Sequence, residues 1–384
     1  MAAKSKKEKK KISGQSFAGI LLYMMIGAGC GILIVRYLDH FAVGELTLGK
    51  MILLSCLLFV SVYAAMLIQI VIHEAGHLVF GLLTGYRFSS FRIFSLMWVK
   101  ENEKLRFKRL SIAGTGGQCL MSPPDLKDGR MPFLLYNFGG AIMNLIFSAV
   151  FLSLSFLLPA AAPLKIFLQI LALIGTAFAF MNGAPLHFGP MDNDGCNAVS
   201  MMHDDEAVRA FWIQMKANEL LSKGIRIKDM PSEWFAVPAD GSMKNSIIAA
   251  VGALACNRLM DEHRFSEADD LMEHILSIDS GIIGLYRGMM VCDRIYLELI
   301  GENRPEVLSG MMTKGQKQLM KAMKKFPSVL RTEYAYALLS DKDTENARKI
   351  KAQFDRCASS YPYPVEIAGE AELMQEAHHL SCAV

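Results

Sequence analysis

Two histidines and a glutamate stand close together in the segment IVIHEAGHLVF, residues 70–80. His73 and His77 are four residues apart, so on a helix both imidazoles lie on the same face and reach one metal ion. Glu74 is adjacent and is placed to take a proton from a water molecule beside that metal. Zinc suits two imidazoles and a carboxylate, with a fourth position left for water. The pattern therefore predicts a zinc centre with His73 and His77 as ligands and Glu74 as general base.

The apolar surroundings of this motif favour a metal site over a structural histidine pair. Between residues 51 and 86, Glu74 is the only formally charged residue. Ionisable groups in lipid are destabilising unless they are partnered, and in membrane spans they usually serve function. The alternative is a chance match in which two hydrogen-bonded histidines belong to a helix core.

A third ligand is expected from the segment MNGAPLHFGPMDNDGCN, residues 181–197, which offers His187, Asp192 and Asp194. This segment lies at the end of the last of four predicted membrane spans, and HEAGH lies in the second span. Both spans are predicted to run from outside to inside, so the aspartates and the histidines reach the cytoplasmic side of the membrane together. The depths agree, and the residues alone leave all three candidates open.

In this order, the motifs resemble the site-2 protease family of intramembrane zinc metalloproteases over about residues 50–200. That family pairs HExxH with Asn-x-x-Pro and Asp-Gly two helices later, and Asn182, Pro185 and Asp194-Gly195 carry the pattern here. The resemblance implies Asp194 as the third zinc ligand. The Pro-to-Asp spacing is longer than the family's usual form, so Asp192 remains a competitor. His187 is expected at the surface or behind the ligands.

The middle span contains NFGGAIMNLIF, residues 137–147, which resembles the family's glycine-rich stretch followed by an asparagine. Small residues such as Gly139 and Gly140 let helices approach closely, and an asparagine in lipid needs a polar partner. The resemblance implies that Asn144 and Asn182 donate hydrogen bonds to the scissile carbonyl or its oxyanion. Plain helix packing, with an internally bonded amide, is the alternative.

Composition indicates a membrane part joined to a water-soluble part. Of 384 residues, 52% are hydrophobic, yet 20% are charged. The net charge of +3 gives no argument for a nucleic-acid partner. Eight cysteines are scattered without a CxxC pair, which favours free thiols in a reducing compartment over disulfides or a zinc ribbon.

Charge also predicts the topology. Spans are expected at about 17–35, 51–83, 132–158 and 166–185, and the lysine-rich arm 1–16 precedes them. Basic residues concentrate in that arm and in the segment 86–131, which places both, and with them the C-terminus, in the cytoplasm. The first span lacks a clear cleavage site and is interpreted as an uncleaved anchor.

The segment 86–131 is predicted to form a short β-hairpin at the cytoplasmic membrane surface. FRIFSLMWV and KLRFKRLSI are rich in β-branched and aromatic residues and flank a polar turn at 100–103, while GTGGQ, residues 114–118, predicts a glycine-rich turn. In the family, an edge strand near the active site can pair with the backbone of an unwound substrate. The resemblance implies that role for residues 91–99, and a structural hairpin is the alternative.

Residues 203–384 are predicted to form an all-α cytoplasmic domain. Two stretches, from about 245 to 277 and from about 332 to 362, each predict a helical pair, with turns at 263–265 and 341–343. Ala268 and Ala347, near the start of each second helix, resemble positions of tetratricopeptide-like pairs. Such a domain can hold a protein partner, and a stability or dimerisation module is the alternative.

Together these features predict an α-helical membrane protein with four transmembrane helices, a small cytoplasmic β-hairpin and a following all-α domain. The domains expected are the arm 1–16, a transmembrane zinc metalloprotease domain 17–202, and a helical domain 203–384. The predicted function is that of a prokaryotic-type zinc endopeptidase of the cell membrane, which cuts the transmembrane segment of a membrane-anchored substrate near its cytoplasmic end. The alternatives are a membrane metalloprotease that processes leader or signal peptides and a non-catalytic membrane scaffold.

Overall fold

A computed structural model describes residues 24, 27–32, 34–37, 39, 47–101, 104–112, 115–185 and 192–383 of the chain. Contacts divide the protein into two compact units, Met1–His73 with Gly140–Leu186 and Glu74–Gly139 with His187–Val384. The units meet at three points of the chain: two fall inside the continuous helices Leu48–Leu83 and Leu134–Leu157, and the third lies outside the described residues. Each unit is therefore built from two separate stretches of the sequence.

Three helices among the described residues are long and apolar enough to cross a membrane: α1 (Leu48–Leu83), α2 (Leu134–Leu157) and α3 (Ala162–Gly183). They correspond to the second, third and fourth predicted spans. Most of the predicted first span, 17–35, lies outside the described residues, and a shorter apolar helix occupies Gly27–Tyr37. Three membrane helices are thus found, and the fourth span stays a prediction.

The first unit packs parts of α1, α2 and α3 around a small apolar core. Leu54 and Ala65 of α1 are buried against Ile170 and Leu171 of α3. Many other large apolar side chains of these helices are exposed, including Phe59. A surface of that kind is expected of helices that face lipid, since lipid tails are as apolar as the side chains they touch.

The second unit contains a four-stranded antiparallel sheet formed by β1 (Arg87–Ile93), β2 (Leu96–Glu101), β3 (Lys104–Arg109) and β4 (Gly117–Ser122), in the order β3-β2-β1-β4. The register pairs Phe91 with Trp98 and with Cys119, and Trp98 with Phe107. The predicted hairpin around residues 100–103 is confirmed as β2 and β3. The sheet is larger than that hairpin, because β1 and β4 extend it.

Two expectations for the sheet were wrong. Residues 91–99 do not form one edge strand, because the chain turns at Phe94, which has a φ of +51°, and divides them between the inner strands β1 and β2. Gly117 and Gln118 belong to β4 instead of a turn. The turn signal at residues 94–95 is weak, because Ser95 is the only residue there of a type common in turns.

The remainder of the second unit is helical. Its helices are α4 (Asp194–Met201), α5 (Asp205–Ser222), α6 (Ser246–Asp261), α7 (Phe265–Ser277), α8 (Gly284–Ile300), α9 (Pro305–Met311), α10 (Lys314–Ala322), α11 (Pro327–Ala335), α12 (Thr344–Ala358) and α13 (Pro364–Ala383). The predicted helical pairs are confirmed as α6–α7 and as α11–α12, the latter joined through a π-helical segment at Tyr336–Ser340. Ala268 and Ala347 are buried. The tetratricopeptide resemblance stays a prediction, since the short helices α9 and α10 interrupt the succession of pairs.

The sheet and the helices of the second unit share a hydrophobic core. Tyr86, Met121 and Tyr136 are buried together with Val208 of α5 and Ile248 of α6. The predicted domain boundary between residues 202 and 203 stays a prediction. Apolar side chains from both sides of it are nevertheless buried in the same cluster.

Candidate active site

His73 and His77 lie one turn apart in α1, and both are buried. His73 Nδ1 is 2.8 Å from Asn144 Oδ1, and His77 Nδ1 is 2.7 Å from the carbonyl oxygen of Tyr136. Both partners are acceptors, so each Nδ1 carries the proton that it donates. In a neutral imidazole the Nε2 atom is then the basic nitrogen, which is the form that ligates a metal.

Asp194 is brought to these histidines by α4, of which it is the first residue. The preceding Asn193 caps that helix, since its side chain accepts a hydrogen bond of 2.8 Å from the Cys196 N–H. Asp194 Oδ2 lies 3.3 Å from His77 Nε2.

This donor set fits zinc. Zinc bonds of ~2.1 Å at a tetrahedral angle hold neighbouring ligand atoms about 3.4 Å apart. The separation between His77 Nε2 and Asp194 Oδ2, 3.3 Å, matches that edge. Two imidazoles with their second nitrogens engaged, joined by one carboxylate, form a usual set for a catalytic zinc ion.

The competing aspartate has a different partner. Asp192 accepts a hydrogen bond from the Ser246 hydroxyl at the start of α6. Asp194 is the aspartate that the structure places 3.3 Å from His77 Nε2. Its role as the third ligand stays a prediction, and His187 lies outside the described residues.

Asn144 belongs to a buried polar chain behind His73. Its Nδ2 atom donates to both the carbonyl oxygen of Gln69, at 3.0 Å, and Gln69 Oε1, at 2.7 Å. Gln69 in turn donates through Nε2 to the Leu171 carbonyl oxygen, at 2.9 Å. Both Asn144 donor hydrogens are thereby used, and its exposed fraction is 0%. In this arrangement Asn144 supports the His73 ring, and its predicted donation to substrate stays a prediction.

Asn182 lies in the last turn of α3, where its Nδ2 atom donates to the Phe178 carbonyl oxygen at 2.9 Å. That bond stays within its own helix. Its predicted contact with substrate stays a prediction. The helix ends at Gly183, two residues before Pro185.

Glycines let the neighbouring elements approach the motif. A Cβ atom on Gly140 would lie 2.4 Å from His73 Cε1, and one on Gly139 would lie 2.7 Å from the Gly76 carbonyl oxygen. Neither approach is possible for a larger residue without displacement. The predicted close approach of helices at Gly139 and Gly140 is confirmed. At Gly140 the neighbouring side chain is His73, a candidate ligand.

Glu74 is held against the sheet. It is 7% exposed, and a Cβ atom on Gly117 would lie 2.5 Å from its Oε1 atom. Gly117 is the first residue of β4, which is an edge of the described sheet. The element next to the candidate general base is thus β4, and not the 91–99 segment expected from the sequence.

A buried arginine lies behind this contact. Arg92, 1% exposed, donates to the Phe94 carbonyl oxygen at 2.7 Å, to Thr115 Oγ1 at 2.6 Å and to the Gly117 carbonyl oxygen at 3.3 Å. Burial lowers the pKa of Arg92, and the nearby charge of Glu74 opposes that shift. Arg92 therefore ties the start of β4 to the end of β1 and sets a positive charge near Glu74.

Sequence reasoning missed Gln69, Gly117 and Arg92. Gln69 is four residues before His73 and lies in the same apolar run, so its spacing was an available signal. Gly117 and Arg92 carry no such signal, because their relation to Glu74 depends on the fold of the sheet.

Comparison with known proteins gives one match. A family model described as Peptidase M50B-like matches residues 45–242, which is more than half of the chain. Neither the curated proteins nor the solved structures gave a match. The matched region contains all the candidate ligands, the sheet and α1 to α5. The chain therefore belongs to the Peptidase M50B-like family of membrane proteases and, with it, to the site-2 protease family.

Proposed function

We propose that the protein is a zinc-dependent endopeptidase that cuts the transmembrane segment of a membrane-anchored substrate near its cytoplasmic end. The observation that carries the proposal is the 3.3 Å separation of His77 Nε2 and Asp194 Oδ2, beside Glu74 and on an apolar helix that also carries His73 one turn earlier. Family membership supports proteolysis at a membrane. The zinc ion and the intramembrane cut are the finer parts of the proposal.

Each residue has a role in this mechanism. His73, His77 and Asp194 would hold the zinc ion, and Asn144 and the Tyr136 carbonyl oxygen keep the two imidazoles in the required tautomer. A bound zinc ion supplies Lewis acidity, which activates water and polarises the scissile carbonyl. Arg92 places a positive charge near the Glu74 carboxylate.

Glu74 moves the protons. Its carboxylate takes a proton from the attacking water while the water oxygen bonds to the scissile carbonyl carbon. The same carboxyl then gives that proton to the amide nitrogen as the carbon–nitrogen bond breaks. Because Gly117 has no side chain, β4 can lie directly against the Glu74 carboxylate of α1. That contact keeps the carboxylate in place.

The substrate would bind as an extended segment along β4. A helix resists cleavage until it is unwound, and an unwound segment needs replacement hydrogen bonds for its backbone. β4 is an edge of the described sheet and begins against Glu74, so it is suited to provide them. Asn182 is proposed as a further donor to the substrate.

The surrounding assignments follow the charge pattern. The lysine-rich arm and the basic segment 86–131 favour a multi-pass protein of the cell membrane with both termini in the cytoplasm. We further propose that the helical part of the chain receives a membrane-protein or peptide partner. Extended helical surfaces suit that task.

The test separates metal binding from chemistry. Purified Glu74→Gln protein should keep about one zinc per chain yet cleave a fluorogenic transmembrane peptide at least ~100-fold more slowly than the wild type. His73→Ala and Asp194→Asn should lose both zinc and cleavage, because each removes a ligand.

Asp192→Asn is the matched control for Asp194→Asn, since it changes an aspartate two residues away. It should retain zinc. Loss of zinc from Asp192→Asn but not from Asp194→Asn would move the ligand to Asp192. Full cleavage by Glu74→Gln protein would refute the proposed mechanism.

A further inference from the structure

A cavity of about 370 Å³ lies within the second unit, between the sheet and the helices α6, α8, α11 and α13. Its volume is in the range of small-molecule and peptide side-chain sites, ~300–1,000 Å³. Its lining includes Gln118 and Leu120 of β4 together with Asp261, Asp293, Arg331 and Glu366. All four helices follow residue 242, where the family match ends.

The lining has more carboxylates than cations. Among its charged residues are Asp261, Asp293, Glu366 and Glu370, against the arginines Arg226 and Arg331. Each arginine already serves two carboxylates: Arg226 contacts Asp261 and Glu372, and Arg331 contacts Asp293 and Glu370. Because both arginines already form ion pairs with other carboxylates, neither is left to pair with Glu366.

Glu366 is the carboxylate in need of a cation. Its Oε2 atom accepts a hydrogen bond of 2.8 Å from the Tyr361 hydroxyl, and no ion pair joins it to another described residue. Burial raises the pKa of Glu366 to about 7. The aromatic rings of Tyr361, Tyr363 and Phe326 also line the cavity. Aromatic faces and a carboxylate together recognise ammonium groups.

Arg331 sets a second, independent requirement for the molecule that occupies the cavity. Its side chain is 1% exposed and lines the cavity, and its Nη1 atom is buried without a hydrogen-bond acceptor among the described residues. A buried donor without a partner is unfavourable. An occupant that brings a carbonyl or carboxylate oxygen, as well as an ammonium group, would satisfy both residues.

The cavity lies on the back of the strand that contacts Glu74. Alternate residues of a strand face opposite sides. In β4, Gly117 faces Glu74. Met121 faces the same way, since a Cβ atom built on Gly81 of α1 would lie 2.3 Å from Met121 Sδ. Gln118 and Leu120, which face the other way, line the cavity. An occupant would therefore press on β4 from the side opposite to the candidate general base.

We propose that this cavity binds an alkylammonium group that is carried with a hydrogen-bond acceptor, as in a lysine residue of a peptide, and that occupancy raises proteolytic activity by holding β4 against α1. Glu366 receives the ammonium group and Arg331 the acceptor. The first half is independent of the chemistry at Glu74, whereas the second rests on the proposed protease function.

Binding is tested by calorimetry on the full chain in detergent. The probes are a short alanine peptide with one central lysine, the same peptide with norleucine in that position, and spermidine. The lysine peptide should bind, and norleucine should weaken binding about tenfold or more because it removes a charge-assisted bond. Stronger binding of spermidine than of the peptide would overturn the assignment of an acceptor to Arg331, because spermidine carries no carbonyl or carboxylate oxygen. No binding of either amine would overturn the proposal.

Two variants examine the assignment to Glu366. Glu366→Gln should weaken binding of the lysine peptide about tenfold, and Glu366→Asp, which keeps the charge, should weaken it less. Glu345→Gln is the matched control, since its carboxylate is exposed on α12 and, among the described residues, pairs with Lys349 alone. Thermal unfolding of each variant verifies its fold. Equal affinity of wild type and folded Glu366→Gln protein would remove Glu366 from the site.

Coupling is tested with the fluorogenic transmembrane peptide. Saturating lysine peptide should raise the cleavage rate of wild-type protein at least threefold and leave that of Glu366→Gln unchanged. An unchanged or lower rate in wild-type protein that binds the probe would overturn the coupling while binding stands. If no variant cleaves any substrate, the proposed function fails, and the calorimetry still decides the binding site.

Discussion

At the residue scale, the candidate site depends on two glycines as much as on its ligands. A Cβ atom on Gly117 would overlap Glu74, and one on Gly140 would overlap the His73 ring. The two contacts concern different tasks. One glycine borders the residue proposed to move protons, and the other borders a residue proposed to hold zinc.

Substitution by alanine should separate these tasks. Gly117→Ala should displace Glu74 and lower the cleavage rate at least ~100-fold, while zinc content stays near that of the wild type. Gly140→Ala should displace His73 and lower both zinc content and cleavage. Zinc is measured by elemental analysis of purified protein, and cleavage with the fluorogenic transmembrane peptide.

Gly241→Ala is the control, because nothing lies within 4 Å of a Cβ atom there. It should match the wild type in both measurements. Retention of full activity by Gly117→Ala protein would show that β4 does not position Glu74, and would remove the main support for substrate pairing along that strand.

The same scale shows how far local sequence patterns reach. His73, Glu74 and His77 could be predicted because all three lie within five consecutive residues of one helix, where spacing alone defines geometry. Asp194 needed the resemblance to a family. The place of Asn144 could not be predicted, since its partner Gln69 lies on another helix and the amide can bond in several ways.

At the element scale, the sheet and the helical pairs differ in how much the sequence predicts. The two helices α6 and α7 could be predicted from periodicity, and the turn expected at 263–265 lies at 262–264, one residue earlier. The order of strands could not be predicted. The sequence 91–99 is rich in strand-forming residues, and the turn at Phe94 is marked only by Ser95, a weak signal beside them.

Three helices of the second unit are joined by one buried guanidinium. Arg331 of α11 contacts Asp293 of α8 and Glu370 of α13, and it lies over the Tyr296 ring at 4.3 Å. Burial raises the pKa of both carboxyls, which the arginine charge opposes. The three helices therefore depend on this residue for their charge balance.

Arg331→Ala should destabilise the protein by about 3–5 kcal/mol, because it leaves two buried carboxylates without their cation. A lower midpoint of unfolding in guanidinium chloride, followed by far-ultraviolet circular dichroism, is the measurement. Arg264→Ala is the matched control: that arginine also pairs with two carboxylates, Glu262 and Glu267, but its side chain is 50% exposed. The control should unfold close to the wild type, since exposed pairs contribute little. Similar midpoints for the two variants would mean that the Arg331 network contributes no more than a surface pair.

At the scale of the whole molecule, the sheet does not have a core of its own. Tyr86 and Met121 are buried with Val208, Ile248 and Val251, which belong to α5 and α6. The composition shift after residue 202 suggested a separable helical domain. The composition of a sequence shows where its apolar runs end. It does not show which side chains before and after that point pack together.

A chain ending after Met202 should therefore lose the fold of its sheet. Removal of α5 and α6 exposes the apolar face that includes Met121, so the amides of β4 should exchange hydrogen rapidly and zinc content should fall. Hydrogen exchange followed by mass spectrometry measures the first, and elemental analysis the second.

The control is a full chain with a protease site inserted at residues 202–203, which are exposed, cut after folding so that both pieces remain. It should retain slow exchange in β4. Slow exchange in the truncated chain as well would show that the sheet is stable without α5 and α6.

The discontinuous second unit has a consequence for the order of events during synthesis. His77 and Asp194 both belong to this unit, yet 117 residues separate them (194 − 77). At ~5–20 residues per second, a ribosome takes about 6–23 s to cover that distance. For that interval the nascent chain holds the histidines and Glu74 but not the aspartate. The protein would thus enter the membrane as an inactive peptidase, and it would become active only after its own spans α1, α2 and α3 had left the ribosome.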